Sequence, residues 1–475
     1  MPKTLDDETE PTTTVRPENP SRGGRRRGEA SLPHVAWLIG PALVAGVAYL
    51  DPGNVASNMT AGAQYGYLLV WVVVLGNVMA WLIQYLSAKL GIVTGRSLPE
   101  VLGGRIRNRW GRRAYWLQAE IVAMATDLAE VIGGAVALNL LFGVPLVWGG
   151  LITGAVSIAL LVLQSRRGPR TFEFVIMGLL AIITIGFTVG VFVAPPDPAG
   201  LVGGLVPRFA DAGSVLLAAS ILGATIMPHA IYAHSALSRD RFAKRVGTQV
   251  PQGPRAAQVP QASRPPRPGG FGIRHGADTS PELLPGTATH VPTDLLVRAT
   301  RWDVSIAMAI AGTVNLCILL LAAVNLAGVA GTDSLEGAYA ALDTALGPAI
   351  ATLFAVGLLA SGLASTSVGA YAGAEIMHGL LHVRVPLIAR RLVTLVPALL
   401  ILWLGFDPTL ALVLSQVVLS FGIPFALIPL VSLTARTGVL GRWRNHWATT
   451  AAGIASSVFL ITLNGLLLWL VFTGA

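Results

Sequence analysis

Charge and cysteine are what this sequence has least of. Of its 475 residues 12% are charged, 53% are hydrophobic and one is cysteine. The lone thiol, Cys317, allows no intrachain disulfide, zinc site or redox pair, and reads as a small core residue. A soluble domain carries about twice this charged fraction. No Ser/His pair, HExxH or paired-aspartate motif supports an intramembrane enzyme, so the chain reads as a non-enzyme.

Long apolar runs take the place of charge. Mean hydropathy is +0.66, and the apolar residues come in blocks of about 20 or more, enough to cross a bilayer. The pattern predicts an all-α integral membrane protein with eleven spans, at about 35–62, 67–91, 115–141, 145–164, 172–194, 213–237, 303–329, 348–378, 387–405, 408–434 and 448–472. Residues 1–32 read as a disordered tail. Residues 243–298, rich in Pro, Gly, Gln and Arg, read as a disordered loop, a tolerated insertion rather than a regulatory segment. The spans then divide into 33–242, 299–435, and a final loop and helix at 436–475.

A net charge of +9 suggests nucleic acid, but the placement of the charge excludes it. Lys and Arg sit in the tail, at Lys89, and in alternate loops: Arg96 to Arg113, Arg166 to Arg170, the loop between spans six and seven (Arg239 to Arg301), Arg384 to Arg391, and Arg436 to Arg444. The other loops carry Asp197, Asp211, Asp333, Glu336 and Asp407, with Arg208 as their one basic residue. By the positive-inside rule the N-terminus is cytoplasmic, the C-terminus is outside, and the partner is the lipid bilayer.

Two breaks interrupt the apolar helices: Asp51-Pro52-Gly53-Asn54 in the first span and Met227-Pro228-His229 in the sixth. Proline removes a backbone donor and clashes with the preceding turn. Backbone opened in lipid is tolerated only where it lines a cavity or holds a ligand. A carboxylate at this depth reads as an ion ligand, although Asp51 could also cap the following half-helix. Asn54 can offer a carbonyl oxygen to the same ion, and the opened turn the backbone carbonyl of Ala48. Met227 alone would be core filler. Beside a break and opposite an aspartate, its sulfur favours Mn²⁺, Fe²⁺, Co²⁺ or Cd²⁺ over Mg²⁺ and Ca²⁺. The break can also free the carbonyl of Ala224, and Gln416 in span ten can reach the ion. Five spans separate the breaks, so spans one to five and six to ten can form an inverted repeat around a midplane site.

Span three carries Glu120, Asp127 and Glu130. Glu120 and Asp127 lie about 20° apart around the helix and Glu130 about 60° further. This acidic stripe suits a proton route, or ion pairs with Arg390 and Arg391 of span nine, or both. His229 reads as a proton or gating residue, a packed histidine or a ligand. His234 reads as packed. Gln84 and Asn315 are mid-span polar residues that suit interhelical hydrogen bonds.

At these residues the chain resembles the NRAMP family of proton-coupled divalent-metal transporters, especially its bacterial manganese-uptake members. The strings are Asp51-Pro52-Gly53-Asn54, Gln84-Tyr85-Leu86-Ser87-Ala88-Lys89-Leu90-Gly91, Asp127-Leu128-Ala129-Glu130 and Gly223-Ala224-Thr225-Ile226-Met227-Pro228-His229. The resemblance implies a LeuT-type fold with broken helices one and six, one helix beyond the 5+5 repeat, and a bacterial plasma membrane. It implies metal ligation by Asp51, Asn54, Met227 and the Ala224 carbonyl, helped in some states by the Ala48 carbonyl and Gln416. It assigns Asp51, His229, Glu130, Asp127, Arg391, Arg390 and Glu120 to a proton route. Two positions depart from the family. Ala230 stands where Asn is frequent, and Gly362 to Ser367 is less polar than the usual span-eight signature.

The reading is therefore import of Mn²⁺, or of Fe²⁺, Co²⁺ or Cd²⁺, by proton symport through alternating access. It needs no permanently bound cofactor, and the sequence is compatible with a monomer without fixing the oligomeric state. The alternatives are a Na⁺-coupled amino-acid carrier and a Mg²⁺ carrier. Asp51 disfavours an anionic substrate, and Met227 disfavours Mg²⁺. A channel would use symmetric rings of ligands, which the sequence does not offer.

Overall fold

The computed structural model describes residues 41–167, 169–242, 292–383 and 385–474. The tail at 1–32, residues 243–291 of the loop, and Arg384 lie outside the described residues. Among the described residues all regular structure is helical. The first crossing is split into α1 (Pro41–Val47), a 3₁₀ turn (Ala48–Leu50) and α2 (Pro52–Tyr65). There follow α3 (Val70–Thr94), a short α4 (Leu98–Arg105), α5 (Arg109–Phe142), α6 (Leu146–Arg167), α7 (Pro169–Val193) and a short α8 (Pro198–Gly203). The sixth crossing is again split, into α9 (Ala212–Ile226) and α10 (Pro228–Phe242). The chain ends with α11 (Thr293–Asn325), α12 (Leu335–Leu346), α13 (Pro348–Leu381), α14 (Leu387–Trp403), α15 (Pro408–Ala435), a short α16 (Thr437–Leu440) and α17 (Trp447–Thr473).

Nine helical segments among the described residues are long and apolar enough to span a membrane, α9–α10 counting as one. The other two expected spans fall short for plain reasons. The first is divided at Asp51, and α14 is 17 residues long. Together they make eleven crossings among the described residues, in the order of two halves of five with α17 outside the repeat.

Two helices start earlier than the apolar pattern indicates: α5 at Arg109 rather than 115, and α11 at Thr293 rather than 303. The start of α11 also corrects the 243–298 interval, whose last residues are helical. Apolarity marks the embedded part of a helix, whereas caps and polar contacts set its end. Asn108 caps α5 by accepting from the Trp110 N–H at 3.0 Å, and Asp294 in the first turn of α11 pairs with Arg442 at 2.9 Å.

Burial divides the bundle into a core and a rim. The α9–α10 segment is 94% buried over its apolar window, against 28% for α7 and 33% for α17. The broken crossings therefore lie at the centre, where opened backbone is tolerated. Around them α2 packs on α9, α11 and α15, and α5 packs on α13 and α15. At the start of α9, Asp211 caps the helix and accepts from the Tyr65 hydroxyl at 2.7 Å. The Tyr65 bond first, and the Ser214 N–H next, hold the exposed Asp211 carboxyl below the usual aspartate range.

Glycine permits the closest approaches. A Cβ on Gly91 of α3 would stand 2.1 Å from the Ser235 carbonyl oxygen of α10, a backbone atom that cannot swing aside. Gly91→Val is expected to destabilise the detergent-solubilised protein by about 1–3 kcal/mol, as overpacking does. Gly178→Val, at a position with no neighbour within 4 Å, should leave the thermal midpoint nearly unchanged.

Candidate metal site

Pro52 and Pro228 lack the N–H groups that would pair with the carbonyls of Ala48 and Ala224, four residues earlier. Chain direction changes at both points: Asp51 is extended (φ −70°, ψ 161°), and Met227 leaves the helical region (φ −2°, ψ 109°).

Asp51 is fully buried. It caps α2, accepting from the Asn54 N–H at 2.8 Å through Oδ1, while Oδ2 accepts from Gln416 Nε2 at 3.0 Å. Capping and ligation, the two roles open from sequence, are compatible in this geometry. No Lys, Arg or His nitrogen among the described residues forms an ion pair with Asp51. The Gln416 side chain lies so close over Gly53 that a Cβ there would be 1.7 Å from Nε2. The Gln416 carbonyl oxygen would be 1.9 Å from a Cβ on Gly223. One residue of α15 thus touches both broken crossings. A hydrogen bond between Ser57 and Ser220 at 2.6 Å ties α2 to α9 directly.

Asn54 donates to the Tyr49 carbonyl at 2.5 Å, and its Oδ1 accepts from Asn58 Nδ2 at 2.6 Å. Asn315 Nδ2 reaches the same Tyr49 carbonyl at 3.2 Å, and Ser361 donates to the Leu50 carbonyl. Ala48 lies in the 3₁₀ turn, and Ala224 and Met227 lie at the second break, all buried. Gln84 donates to the Tyr49 hydroxyl, and its Oε1 lies 2.7 Å from His234 Nδ1. His234, expected only to pack, is therefore part of a polar chain leading to the break.

The acidic stripe meets both arginines. Asp127 bridges them, with Arg390 at 3.0 Å on one oxygen and Arg391 at 3.0 Å on the other. Arg390 also pairs with Glu120 at 3.2 Å, and Arg391 with Glu130 at 3.2 Å. Arg391 further donates to Ser157 at 2.9 Å and Thr366 at 3.3 Å. His229 Nδ1 lies 3.1 Å from the Thr126 hydroxyl on the same face of α5. Glu130 Oε1 and Glu120 Oε2 are buried with no hydrogen-bond partner among the described residues. Room for this network comes from Gly369 and Gly373 of α13: a Cβ on Gly373 would be 2.0 Å from Arg390 Cζ.

Sequence reasoning did not assign Tyr49, Asn58, Thr126, Gly369 or Gly373. The four-residue spacings of Asn54 with Asn58 and of Gly369 with Gly373 were the available signals. Tyr49 contributes through its carbonyl, which no side-chain pattern reports. No group of three or more His, Cys, Asp or Glu that could hold a metal occurs among the described residues. Any ion at the break therefore meets one carboxylate among neutral dipoles.

Removing one partner of a buried ion pair costs about 3–5 kcal/mol. Arg391→Ala is expected to lose that much stability and to appear as lost monodisperse yield on size exclusion. Arg391→Lys should not rescue it, because an ammonium cannot reproduce the guanidinium fork.

Comparison with known proteins gives the family and the fold. Residues 42–470 match the family model described as Natural resistance-associated macrophage protein-like, Nramp. The chain is 56% identical over 439 residues to the divalent metal cation transporter MntH of Mycobacterium tuberculosis, covering 92% of each protein. It is 42% identical to the MntH of Deinococcus radiodurans, covering 94% of this chain and 93% of that one. A crystal structure of the Eremococcus coleocola manganese transporter, in complex with an aromatic bis-isothiourea compound, superposes with a TM-score of 0.73 at 29% identity, covering 92% of this chain and 87% of that one. The nucleobase-cation symporter MHP1 shares the fold alone, with a TM-score of 0.50 at 14% identity over 92% of this chain and 93% of that one.

Proposed function

This chain belongs to the Nramp family, and from that membership and the geometry at Asp51 we propose that it imports divalent transition-metal ions, Mn²⁺ foremost, into the bacterial cytoplasm by proton symport. The observation that carries the proposal is a fully buried carboxylate at a helix break, held by an N–H and an amide, with no cation among the described residues paired to it. A dication supplies the missing charge. Asn54, the carbonyls of Ala48 and Ala224, Met227 and Gln416 complete the shell we assign to the ion. In the loaded state the cation lowers the proton affinity of Asp51, so metal arrival expels a proton.

The proton leaves by way of His229 and Glu130 toward Asp127, Arg391, Arg390 and Glu120. Three carboxylates face two guanidinium groups in that network. The surplus carboxylate, together with the unpartnered oxygens of Glu130 and Glu120, gives an arriving proton a place to reside. Alternating access rests on the two breaks, which let half of each central crossing move while its other half stays packed. The distribution of arginines orients the N-terminus to the cytoplasm and the C-terminus outward.

In proteoliposomes, Asp51→Ala should abolish Mn²⁺ uptake. Met227→Ala should keep Mn²⁺ uptake but admit Ca²⁺ as a competitor, since the thioether is the soft ligand. Unchanged Ca²⁺ discrimination would count against sulfur ligation. A pH-sensitive dye inside the vesicles should report acidification with Mn²⁺ entry, and its absence would remove the symport claim. Isothermal titration should give heat with Mn²⁺ and none with amino acids; the reverse would favour an organic-solute carrier.

A further inference from the structure

Neither the metal shell nor the proton route uses Asn58. It lies in α2, four residues after Asn54, with its side chain fully buried. Asparagine is a poor helix former, and Leu or Ala would suit this interior position better. Its Oδ1 is buried with no hydrogen-bond partner among the described residues, and an unpaired buried acceptor costs stability. Both of its side-chain hydrogen bonds among those residues go to one neighbour. Nδ2 donates to the Asn54 backbone carbonyl at 2.9 Å and to Asn54 Oδ1 at 2.6 Å. The first is a back-bond of the kind short polar side chains make within helices. The second engages the atom that the shell assigns to the ion.

Two backbone carbonyls fix which way both amides face. The oxygen and nitrogen of an amide are told apart by their partners, and a backbone carbonyl can only accept. The Asn54 carbonyl therefore requires the nitrogen of Asn58, and that nitrogen requires the oxygen of Asn54. At the other end the Tyr49 carbonyl requires the nitrogen of Asn54, at 2.5 Å. That carbonyl is free to accept because the Gly53 N–H, its partner in an unbroken helix, turns to Asp51. Asn315 Nδ2 of α11 reaches the same carbonyl at 3.2 Å. Turning the Asn54 amide over would set oxygen against the Tyr49 carbonyl and nitrogen against Asn58 Nδ2, two repulsions in a buried space.

Orientation matters to a cation. One end of an amide offers it an oxygen, and the other aims N–H groups at it. An amide oxygen has two lone pairs, so accepting from Asn58 leaves one for a metal ion. We propose that Asn58 is a positioning residue: by donating to Asn54 Oδ1 it holds the Asn54 amide with its oxygen available to the transported dication. The inference rests on the reading that Asn54 ligates the ion, and it concerns the residue behind that ligand.

The test is isothermal titration of Mn²⁺ into the full chain in detergent, over a double-mutant cycle of wild type, Asn54→Ala, Asn58→Ala and the double variant. Asn58→Ala is expected to weaken Mn²⁺ binding by about three- to tenfold, the worth of one hydrogen bond. It should cause no further loss once Asn54 is alanine, because the two residues act as one unit. A general defect in α2 would weaken both backgrounds alike. Asn58→Leu, which fills the space without a donor, should match Asn58→Ala. Unchanged affinity in both Asn58 variants, or the same loss in both backgrounds, overturns the proposal and leaves Asn54 as a ligand. Unchanged affinity in Asn54→Ala overturns the ligand reading and this inference with it. Should the variants fail to fold or bind too weakly to titrate, a crystal structure of the Mn²⁺-loaded wild type decides. Asn58 Nδ2 on Asn54 Oδ1, with that oxygen on the ion, supports the proposal, and separation of the two amides overturns it.

Discussion

A carbonyl whose hydrogen-bond donor has been replaced by proline cannot stay bare in hydrocarbon, and the arrangement of this protein follows from where such carbonyls go. Four internal prolines pose the problem in the central crossings and in α15. In α15 the freed oxygens of Ser420 and Phe425 are taken by side chains of α17 and α5, and the helix continues. At Pro52 and Pro228 the helix stops altogether and restarts. There the backbone near the break is held by Asn54, Asn315 and Ser361, which reach the carbonyls of Tyr49 and Leu50. The same covalent cause thus leaves a continuous helix in one place and an opened one in another.

Asp51 and Asp127 are both buried carboxylates, yet their situations are opposite. Asp127 sits between two guanidinium groups, so its charge is compensated within the protein. The compensation is geometrically demanding: α5 supplies the acids, α14 the arginines, and α13 withdraws its side chains at Gly369 and Gly373 to make room. Such a network fixes the relative positions of three helices, because displacing any one would leave an unpaired charge in an apolar interior. Asp51 receives only dipoles, from the Asn54 N–H and the Gln416 amide. A charge held by dipoles alone is open to exchange between a proton and a metal ion, whereas a charge locked in salt bridges is not. The proposed coupling of two ions draws on this separation of a salt-bridged acidic network from a solitary acid.

Much of this could be read from the sequence because the chemistry is carried by side chains that are expensive in lipid. An aspartate next to proline, three acids on one helical face, and paired arginines entering span nine are conspicuous at low charge density. Glu120, Asp127 and Glu130 could be placed on one side of a helix by angle alone, and Arg390 and Arg391 by depth. Pairing of the stripe with these arginines was one of the two readings, but that Asp127 bridges both was not legible, since it depends on how α5 and α14 are rotated against each other. The role of the Tyr49 carbonyl was invisible for another reason: every residue carries a carbonyl, and only the fold selects which one is used. His234 was underestimated because position along a helix gives no information about a neighbour such as Gln84 on another helix. The early starts of α5 and α11 were missed because hydropathy reports contact with lipid, and a helix need not end where the lipid does.

The absence of a three-acid or histidine-rich cluster among the described residues bears on what kind of metal protein this is. A resident metal is held by several anionic or imidazole ligands that together make release slow. A cargo must be released on every cycle, so its site needs enough affinity to capture the ion and little enough to let it go. In the proposed shell one carboxylate supplies the Coulombic attraction, and neutral oxygens and sulfur supply the rest. Selectivity is then separated from affinity. Sulfur discriminates by softness without adding charge, so replacing it with a second carboxylate would tighten binding while favouring the hard, abundant Mg²⁺ and Ca²⁺. In the proposed shell, a single carboxylate is what would let the site release the ion it binds.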